Sequence, residues 1–555
     1  MTKFSMGLDF GSNSVRALII SLADGKEFGS GVCTYPGGDS GVYTDKANHH
    51  LARQSPLAYV EAMEKAIVTA VKEASEKSDF DIGAVVGIGV DTTGSTPLPV
   101  TMDCIPLAAL DQFKDNLNAY AWMWKDHTSV EEAAKITEIA AEHRPLYLKR
   151  CGGTYSSEWF FSKVWHCLNT DPEVFDTAYT WIEFADYIPA VLAGINDVSE
   201  IKPSVCAAGH KAMYSEEWGG LPDAEFLTML DPKIAELRDR MYDKAYPSDV
   251  TAGNLCTAWA EKTGLPEGIP VSVGAFDAHM GAVGAGVGGS RLVKIIGTST
   301  CDLMVTPNDS HVPENTGICG VVDGSVIPDY YGIEAGQSAV GDIFNWFVSK
   351  ICKSDHSVFK ELTAEASVLK PGESGLLALD WNNGNRCTLV DPMLTGLMVG
   401  MTLHTSRAEM YRALIEGTAF GAKRIIDRLE ETGVTISEVI NCGGIAEKDA
   451  MFMQIYADVL NCRMVISGSA QTCALGAAIF GAIVAGEYES VAAAQEDIVS
   501  FKDKVFDPIP ENVEAYRNLY DLYCELYDSF GIKGDLYDHS RIMKELLKIS
   551  AQAKK

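Results

Sequence analysis

Met6-Gly7-Leu8-Asp9-Phe10-Gly11-Ser12-Asn13-Ser14-Val15-Arg16-Ala17-Leu18-Ile19 is an apolar run that reaches a carboxylate, breaks in a polar turn and becomes apolar again. The pattern predicts two strands joined by a tight turn rich in Gly, Ser and Asn. Small turn residues leave backbone N–H groups and hydroxyls free to face an anion. Gly11, Ser12 and Asn13 are therefore candidate phosphate ligands, and Asp9 at the strand end is placed to hold a hydrated Mg²⁺ beside them. The same residues also suit an ordinary hairpin turn.

A second segment, Leu292-Val293-Lys294-Ile295-Ile296-Gly297-Thr298-Ser299-Thr300-Cys301-Asp302-Leu303-Met304-Val305, repeats the form: strand, small polar turn, strand. One such hairpin near the start of each half points to duplicated halves facing one nucleotide across a cleft. At 555 residues the chain exceeds what one hydrophobic core organises, so at least two domains are expected. Lys plus Arg is 45 against 76 Asp plus Glu, a net charge of 45 − 76 = −31. Such a surface repels nucleic acid and anionic membranes, so neither is an expected partner, and a phosphorylated ligand must be held by local donors and a cation. The 14 cysteines include no Cys-x-x-Cys pair, which argues against a zinc or thioredoxin-type site. With no signal peptide ahead of Asp9, free thiols in a reducing cytoplasm are expected. The Gly/Ala-rich run Ala474 to Ala485 is too short to cross a bilayer and predicts a buried helix packed closely on a neighbour.

Between the hairpins, Ser55-Pro56 supplies an N-cap and a first-turn proline for a helix carrying Val60, Met63, Ile67, Val71 and Ala74. Val85 to Val90 reads as a buried strand entering Asp91-Thr92-Thr93-Gly94-Ser95-Thr96-Pro97, in the order of a mixed α/β sheet whose strand ends carry the site. Trp122-Met123-Trp124-Lys125-Asp126-His127 sets two tryptophans beside an Asp and a His, suited to a sugar or to plain core packing. Cys206 to Tyr214 reads as a small-residue loop presenting Lys211, a side chain that is either solvated or a ligand. Val271 to Phe276 reads as a strand ending at Asp277, which is a helix cap or a reactive carboxylate. Tyr331 to Trp346 enters a helix, and Val439 to Asp449 gives a strand, the Gly443-Gly444 turn and a polar helix start. Beyond Gly486 the sequence reads as amphipathic helices with a Lys-rich, solvated terminus.

Together these segments resemble the FGGY family of sugar kinases over roughly the whole chain. The most specific match is Gly396-Leu397-Met398-Val399-Gly400-Met401, seven residues, then Glu409 to Glu416, which fits the spacing of the family's second signature. The resemblance implies an α/β fold of two actin-like, ribonuclease H-like ATPase domains with a cleft between them, residues 1–285 binding sugar and 286–555 binding nucleotide. It implies ATP and Mg²⁺, with Asp9 at the metal and Asp277 as catalytic base and sugar ligand. Gly94, Ser95, Asp126, Lys211 and Glu334 would meet the sugar. Gly11, Ser12, Asn13, Gly297, Thr298, Ser299, Gly341, Asn345, Gly443, Gly444 and Lys448 would line the nucleotide, although the family pattern often has Asn near Lys448. Within the family the loops are most similar to those of members acting on L-ribulose, and a homodimer is compatible with the resemblance. Two alternatives stand beside this: a kinase for another pentulose such as xylulose, and an ATP-driven binding module. The module predicts a β appendage and linker that the sequence lacks.

Overall fold

β1 (Phe4–Phe10) and β2 (Ser14–Ser21) form the first hairpin, with Asp9 opposite Arg16. This computed structural model describes residues 2–309, 317–431, 433–534 and 539–540. β3 (Glu27–Thr34) continues the sheet antiparallel from β2, and β4 (Val85–Thr92) lies parallel on the other side of β1. Phe4, Met6, Leu8 and Phe10 alternate along β1 and are fully buried in the core shared with α1 (Pro56–Ser75), whose Tyr59, Met63 and Ile67 face them. Pro56 fixes the first turn of α1, while the Ser55 side chain makes no capping hydrogen bond. The predicted loop around Lys211 is instead helix α2 (Val205–Lys211), capped by the Ser204 hydroxyl on Ala207 N–H, so Lys211 closes a helix. β5 (Thr251–Asn254), β6 (Pro270–Ser272) and β7 (Ala275–Phe276) complete a sheet of order β3-β2-β1-β4-β6-β5, with β7 paired to β4. The strand read over 271–276 is thus two short strands, and α3 (Asp277–Ala285) follows at once.

The second half repeats the plan. β8 (Arg291–Ile296) and β9 (Thr300–Pro307) form the second hairpin, followed by β10 (Gly320–Asp323) and β11 (Tyr330–Ala335). Glu334 is therefore on a strand, and the helix expected after Tyr331 begins only at α4 (Gly341–Trp346). The signature strand Leu397–Val399 pairs with Leu377–Leu379, and α5 (Arg407–Glu430) starts from a reciprocal capping box between Ser406 and Glu409. α5 is a core helix, with Arg412 and Glu416 paired at 2.8 Å while buried. β12 (Glu438–Cys442), α6 (Gly444–Lys448), β13 (Arg463–Ser467) and α7 (Thr472–Val484) follow. β14 (Phe501–Phe506), read in the sequence as part of a helical tail, is an edge strand, and α8 (Pro510–Gly531) ends the described fold apart from residues near 540. The Lys-rich terminus lies outside the described residues. Sheet order is β10-β11-β9-β8-β12-β13-β14: antiparallel strands, two parallel pairs and an antiparallel edge, as in the first sheet.

α7 belongs to the second half but lies on β1 and β4 of the first. Carbonyls of Ala474 and Ala477 sit where Cβ atoms of Gly7 and Gly89 would be, 1.8 and 1.7 Å from those positions. Only glycine permits strand and helix backbones to approach this closely, which accounts for the small-residue composition of α7. Among the described residues no helix is long and apolar enough to cross a membrane.

Candidate active site

β1, β4 and β7 end side by side. Asp9 is the partner of Asp91, Ala275 is also opposite Asp91, and Asp277 follows one residue beyond β7, so three carboxyls gather at one sheet edge. Asp91 is fully buried, and among the described residues no N–H or hydroxyl donates to either of its oxygens; the Asp9 carboxyl faces it within hydrogen-bonding reach. Burial, then the charges of Asp9 and Asp277, push the Asp91 carboxyl well above the ordinary range. Burial also raises Asp9, against an opposing pull from Asp91 and from Arg16, whose guanidinium lies 3.7 Å away. Asp277 is pushed up to about 7 by burial and by Asp9. Its Oδ1 accepts the Ala278 N–H at 2.7 Å, and among the described residues Oδ2 has no donor. A buried, donorless carboxylate beside two others is a strong demand for a hard cation with oxygen ligands, and Mg²⁺ fits it.

Opposite these groups, the Lys211 ammonium lies 3.5 Å from Glu334 Oε2 and between the rings of Trp159 and Phe276, 5.5 and 5.6 Å from their centroids. Glu334 Oε2 is also 3.6 Å from His210 Nδ1, and His210 Nε2 is 3.0 Å from His279 Nε2 and 3.1 Å from Ser325 Oγ. Burial would raise Glu334, but the cations nearby, Lys211 first and Arg386 after it, hold it far below the usual carboxylate range. Burial pushes His210 well down and His279 to about 4, so both imidazoles are neutral near pH 7. The result is one ammonium and one carboxylate with unfilled hydrogen-bonding capacity on an aromatic wall, an arrangement suited to a polyol.

The first hairpin closes through Gly11 N–H to Ser14 C=O at 3.0 Å, and the second through Gly297 N–H to Ser299 C=O at 2.9 Å. Among the described residues the N–H groups of Ser12, Asn13, Thr298 and Ser299 find no acceptor, which leaves them for an anion. Ser12 Oγ accepts the Trp124 indole N–H at 3.0 Å, and the Asn13 amide donates to Ser40 C=O. Val340 and Asp342 N–H bind Thr298 C=O, and Gly341 N–H binds Gly297 C=O, so α4 starts directly on the second turn, with Asn345 one helical turn further and half-exposed. Gly443, at φ +101°, leaves the end of β12 against Ile296 C=O, and a Cβ there would lie 2.2 Å from that oxygen. Lys448 is exposed, and its Nζ is 3.9 Å from where a Gly444 Cβ would sit.

Models of the N-terminal and C-terminal domains of the FGGY family of carbohydrate kinases match residues 4–284 and 292–485. The chain belongs to this family. A ribulokinase of Vibrio parahaemolyticus is 42% identical over 542 residues, covering 94% of this chain and 95% of that protein. A ribulokinase of Halalkalibacterium halodurans is 40% identical over 549 residues, covering 96% and 95%. The solved xylulose kinase of Rhodospirillum rubrum superposes with a TM-score of 0.78 at 20% identity, covering 95% of this chain and 99% of that one, a likeness of fold alone. The two repeated sheets are accordingly the actin-like, ribonuclease H-like ATPase pair of the FGGY kinases.

Two expected sugar ligands are occupied otherwise. Asp126 is fully buried; Oδ2 accepts from Ala52 N–H and from the Arg53 guanidinium, and Oδ1 from Thr128 N–H and hydroxyl. Arg53 stacks on the buried Trp122, 3.3 Å from the ring centroid, so Asp126 and Trp122 build the wall, and half-buried Trp124 is the ring left near the first hairpin. Ser95 is also fully buried: its hydroxyl donates to Glu183, which also accepts Thr96 N–H at 2.8 Å. Lys163 ties the same loop down through the carbonyls of Ser95 and Met123 at 2.8 and 2.7 Å. Gly94 packs against the Phe276 ring beside Asp277, where any side chain would clash.

Asp91 is the main residue that sequence reasoning missed. Its signal was present: Gly89-Val90-Asp91 repeats the Gly7-Leu8-Asp9 pattern on the neighbouring strand. His210, His279, Lys163 and Glu183 carried no comparable signal, because their roles arise from contacts between segments 40 to 115 residues apart.

Proposed function

We propose that the sugar phosphorylated by this carbohydrate kinase is L-ribulose, at its 5-hydroxyl, with Mg-ATP as donor. The substrate assignment draws support from the relatives at 42% and 40% identity over nearly the whole chain. The chemistry is carried by Asp277, a carboxyl raised to about 7 with one oxygen fixed by Ala278 N–H and the other open. A base with this affinity takes a hydroxyl proton efficiently near neutral pH.

In this reading Lys211 and Glu334 grip the sugar hydroxyls, and the Phe276 and Trp159 rings pack its apolar face. Asp277 Oδ2 accepts the proton as the hydroxyl oxygen attacks in line. The N–H groups of Ser12, Asn13, Thr298 and Ser299 hold phosphate oxygens, while Gly341, Asn345, Gly443, Gly444 and Lys448 border the adenosine. Asp9 and Asp91 would hold Mg²⁺, directly or through water, and the ion would offset charge on the transferring phosphoryl group. Most of the rate then comes from positioning and charge stabilisation. A reducing cytoplasm is the compartment this reading assigns. The test is ADP release measured against a panel of pentuloses and pentitols: L-ribulose should have the highest kcat/KM, and a higher value for xylulose or a pentitol would overturn the assignment.

A further inference from the structure

Cys319 and Cys387 are far apart in the chain, yet their Sγ atoms lie 2.9 Å apart. That is within about 1 Å of a sulfur–sulfur bond. Neither thiol has a part in the chemistry described above, and all 14 cysteines are free. The backbones around the pair are joined: Thr388 N–H binds Gly317 C=O at 2.7 Å, and the Cys319 thiol faces Arg386 C=O at 3.9 Å. Cys387 Sγ in turn accepts Gly336 N–H at 3.1 Å.

The pair brackets Glu334. Cys319 precedes Gly320, the cross-strand partner of Glu334, and Gly336 lies two residues after it. Arg386, exposed at the surface, lies near both thiols and helps hold Glu334 ionised. Burial and the neighbouring Cys319 sulfur push the Cys387 thiol well up. Cys319 is the more exposed sulfur, and Cys387 is 2% exposed.

We propose that Cys319 and Cys387 form a reversible disulfide with a low-molecular-weight disulfide as oxidant, and that this bond weakens sugar binding by displacing Glu334. The Cys319 thiolate attacks one sulfur of the oxidant, and the other sulfur leaves as a thiolate. Cys387 gives its proton to solvent and attacks the Cys319 sulfur, releasing the second small thiolate. Two protein thiols become one disulfide, and one small disulfide becomes two thiols. Bringing the sulfurs to bonding distance pulls the start of β10, whose Gly320 pairs with Glu334, toward the 386–388 loop.

The effect on the sugar rests on the reading of Glu334 as its ligand; the cross-link does not. The full chain is incubated with oxidised glutathione, then mapped by peptide mass spectrometry without substrate and assayed for sugar KM. The expected result is a Cys319–Cys387 cross-linked peptide and a KM raised by about tenfold or more, as a misplacement approaching 1 Å produces. Dithiothreitol reverses both. Cys319→Ser abolishes both, and Cys387→Ser leaves glutathione held on Cys319. Free alkylation of both cysteines after oxidation overturns the site. A cross-link with unchanged KM, or a KM rise that persists in Cys319→Ser, overturns its effect on the sugar.

Discussion

Replacing Asp277 with Asn should make the protein more stable and far less active. The carboxyl is raised from 3.8 to about 7 in the fold, a difference of about 3 units, or about 4 kcal/mol at about 1.36 kcal/mol per unit. A carboxyl with a raised folded pKa makes the fold lose stability as pH rises from the unfolded value through the folded one, since the unfolded state then binds fewer protons. The burden is therefore complete above about pH 7 and absent below about pH 4. Asn keeps the size of Asp and can still accept Ala278 N–H, but loses an attraction of about 0.3–1 kcal/mol to the start of α3. Allowing for that loss and for dielectric relaxation, a net gain on the order of 2 kcal/mol is expected at pH 8. At about 2.1 cal/mol/K per residue, a chain of 555 residues changes entropy by about 1.2 kcal/mol/K, so Tm rises by about 2 °C. The lost base lowers kcat by roughly 10² to 10⁴, with both KM values changing much less. Tm at pH 5 and pH 8 and steady-state kinetics measure all of this. If Asp277 served only to start α3, Asn would leave kcat within about tenfold of wild type and would not raise Tm more at pH 8 than at pH 5; either outcome refutes the reasoning.

Asp91→Asn removes the donorless charge: the ligand-free Tm should rise at pH 8, and the Mg²⁺-dependent part of the Mg-ATP thermal shift should disappear, both read by scanning fluorimetry with and without Mg²⁺. Lys211→Met leaves Glu334 buried without its cation, costing about 3–5 kcal/mol; adding Glu334→Gln should restore Tm but not sugar affinity, and recovery of both would remove the pair from the sugar site. Asp126→Asn breaks the buried pair with Arg53 at a similar cost of about 3–5 kcal/mol, with sugar KM changed by less than about threefold in the protein that remains folded; a large KM change at constant Tm would return Asp126 to the cleft. The wild-type kcat/KM should fall as pH drops below about 7, because the base must be unprotonated, and a profile flat down to pH 5 would contradict a base raised to about 7.

How much of this was legible in the sequence follows the range of each signal. The hairpins, the helix after Pro56 and the strand into Asp91 were readable because period two and turn chemistry are local. α2 was mistaken for a loop because Ala-Ala-Gly is as common in turns as in a short helix, and only the Ser204 cap distinguishes them. β14 carries three charged residues in a row, Lys502-Asp503-Lys504, at a mostly exposed sheet edge, so it lacks the apolar run that marks a central strand. Lys211 and Glu334 come together beside Asp277 in the structure, whereas the side chains of Asp126 and Ser95 turn to other partners, which the local sequence does not reveal. A polar residue next to a site looks the same in sequence whether it faces the ligand or supports the wall, and the partners that decide it, Arg53 and Glu183, are 73 and 88 residues away.

The carboxylate edge and the packing of the first half have one cause. Side chains alternate along a strand, so Ser5, Gly7 and Asp9 share one face of β1, and Gly87, Gly89 and Asp91 share one face of β4. The glycines admit α7, whose Ala474 lies over Gly7 and whose Gly481 lies over Gly87, so the helix starts at the carboxylate end of the strands. Where the helix stops covering the sheet, the next residue on that face is the Asp. The positive end of the α7 dipole therefore points toward Asp9 and Asp91, offsetting about 0.3–1 kcal/mol of their repulsion. The remaining cost, several kcal/mol, is borne by the opposite face: Phe4, Met6, Leu8, Phe10, Ile88 and Val90 are all fully buried. At about 1.5–3 kcal/mol each, they contribute on the order of 10 kcal/mol or more before chain entropy. A Gly-x-Asp repeat on adjacent parallel strands thus sets helix packing and places an unneutralised charge at the helix's edge in the same three residues. Moving either Asp by one position would put its carboxyl in the Leu8–Val90 core, so the strand register that buries the core also fixes where the two carboxyls meet.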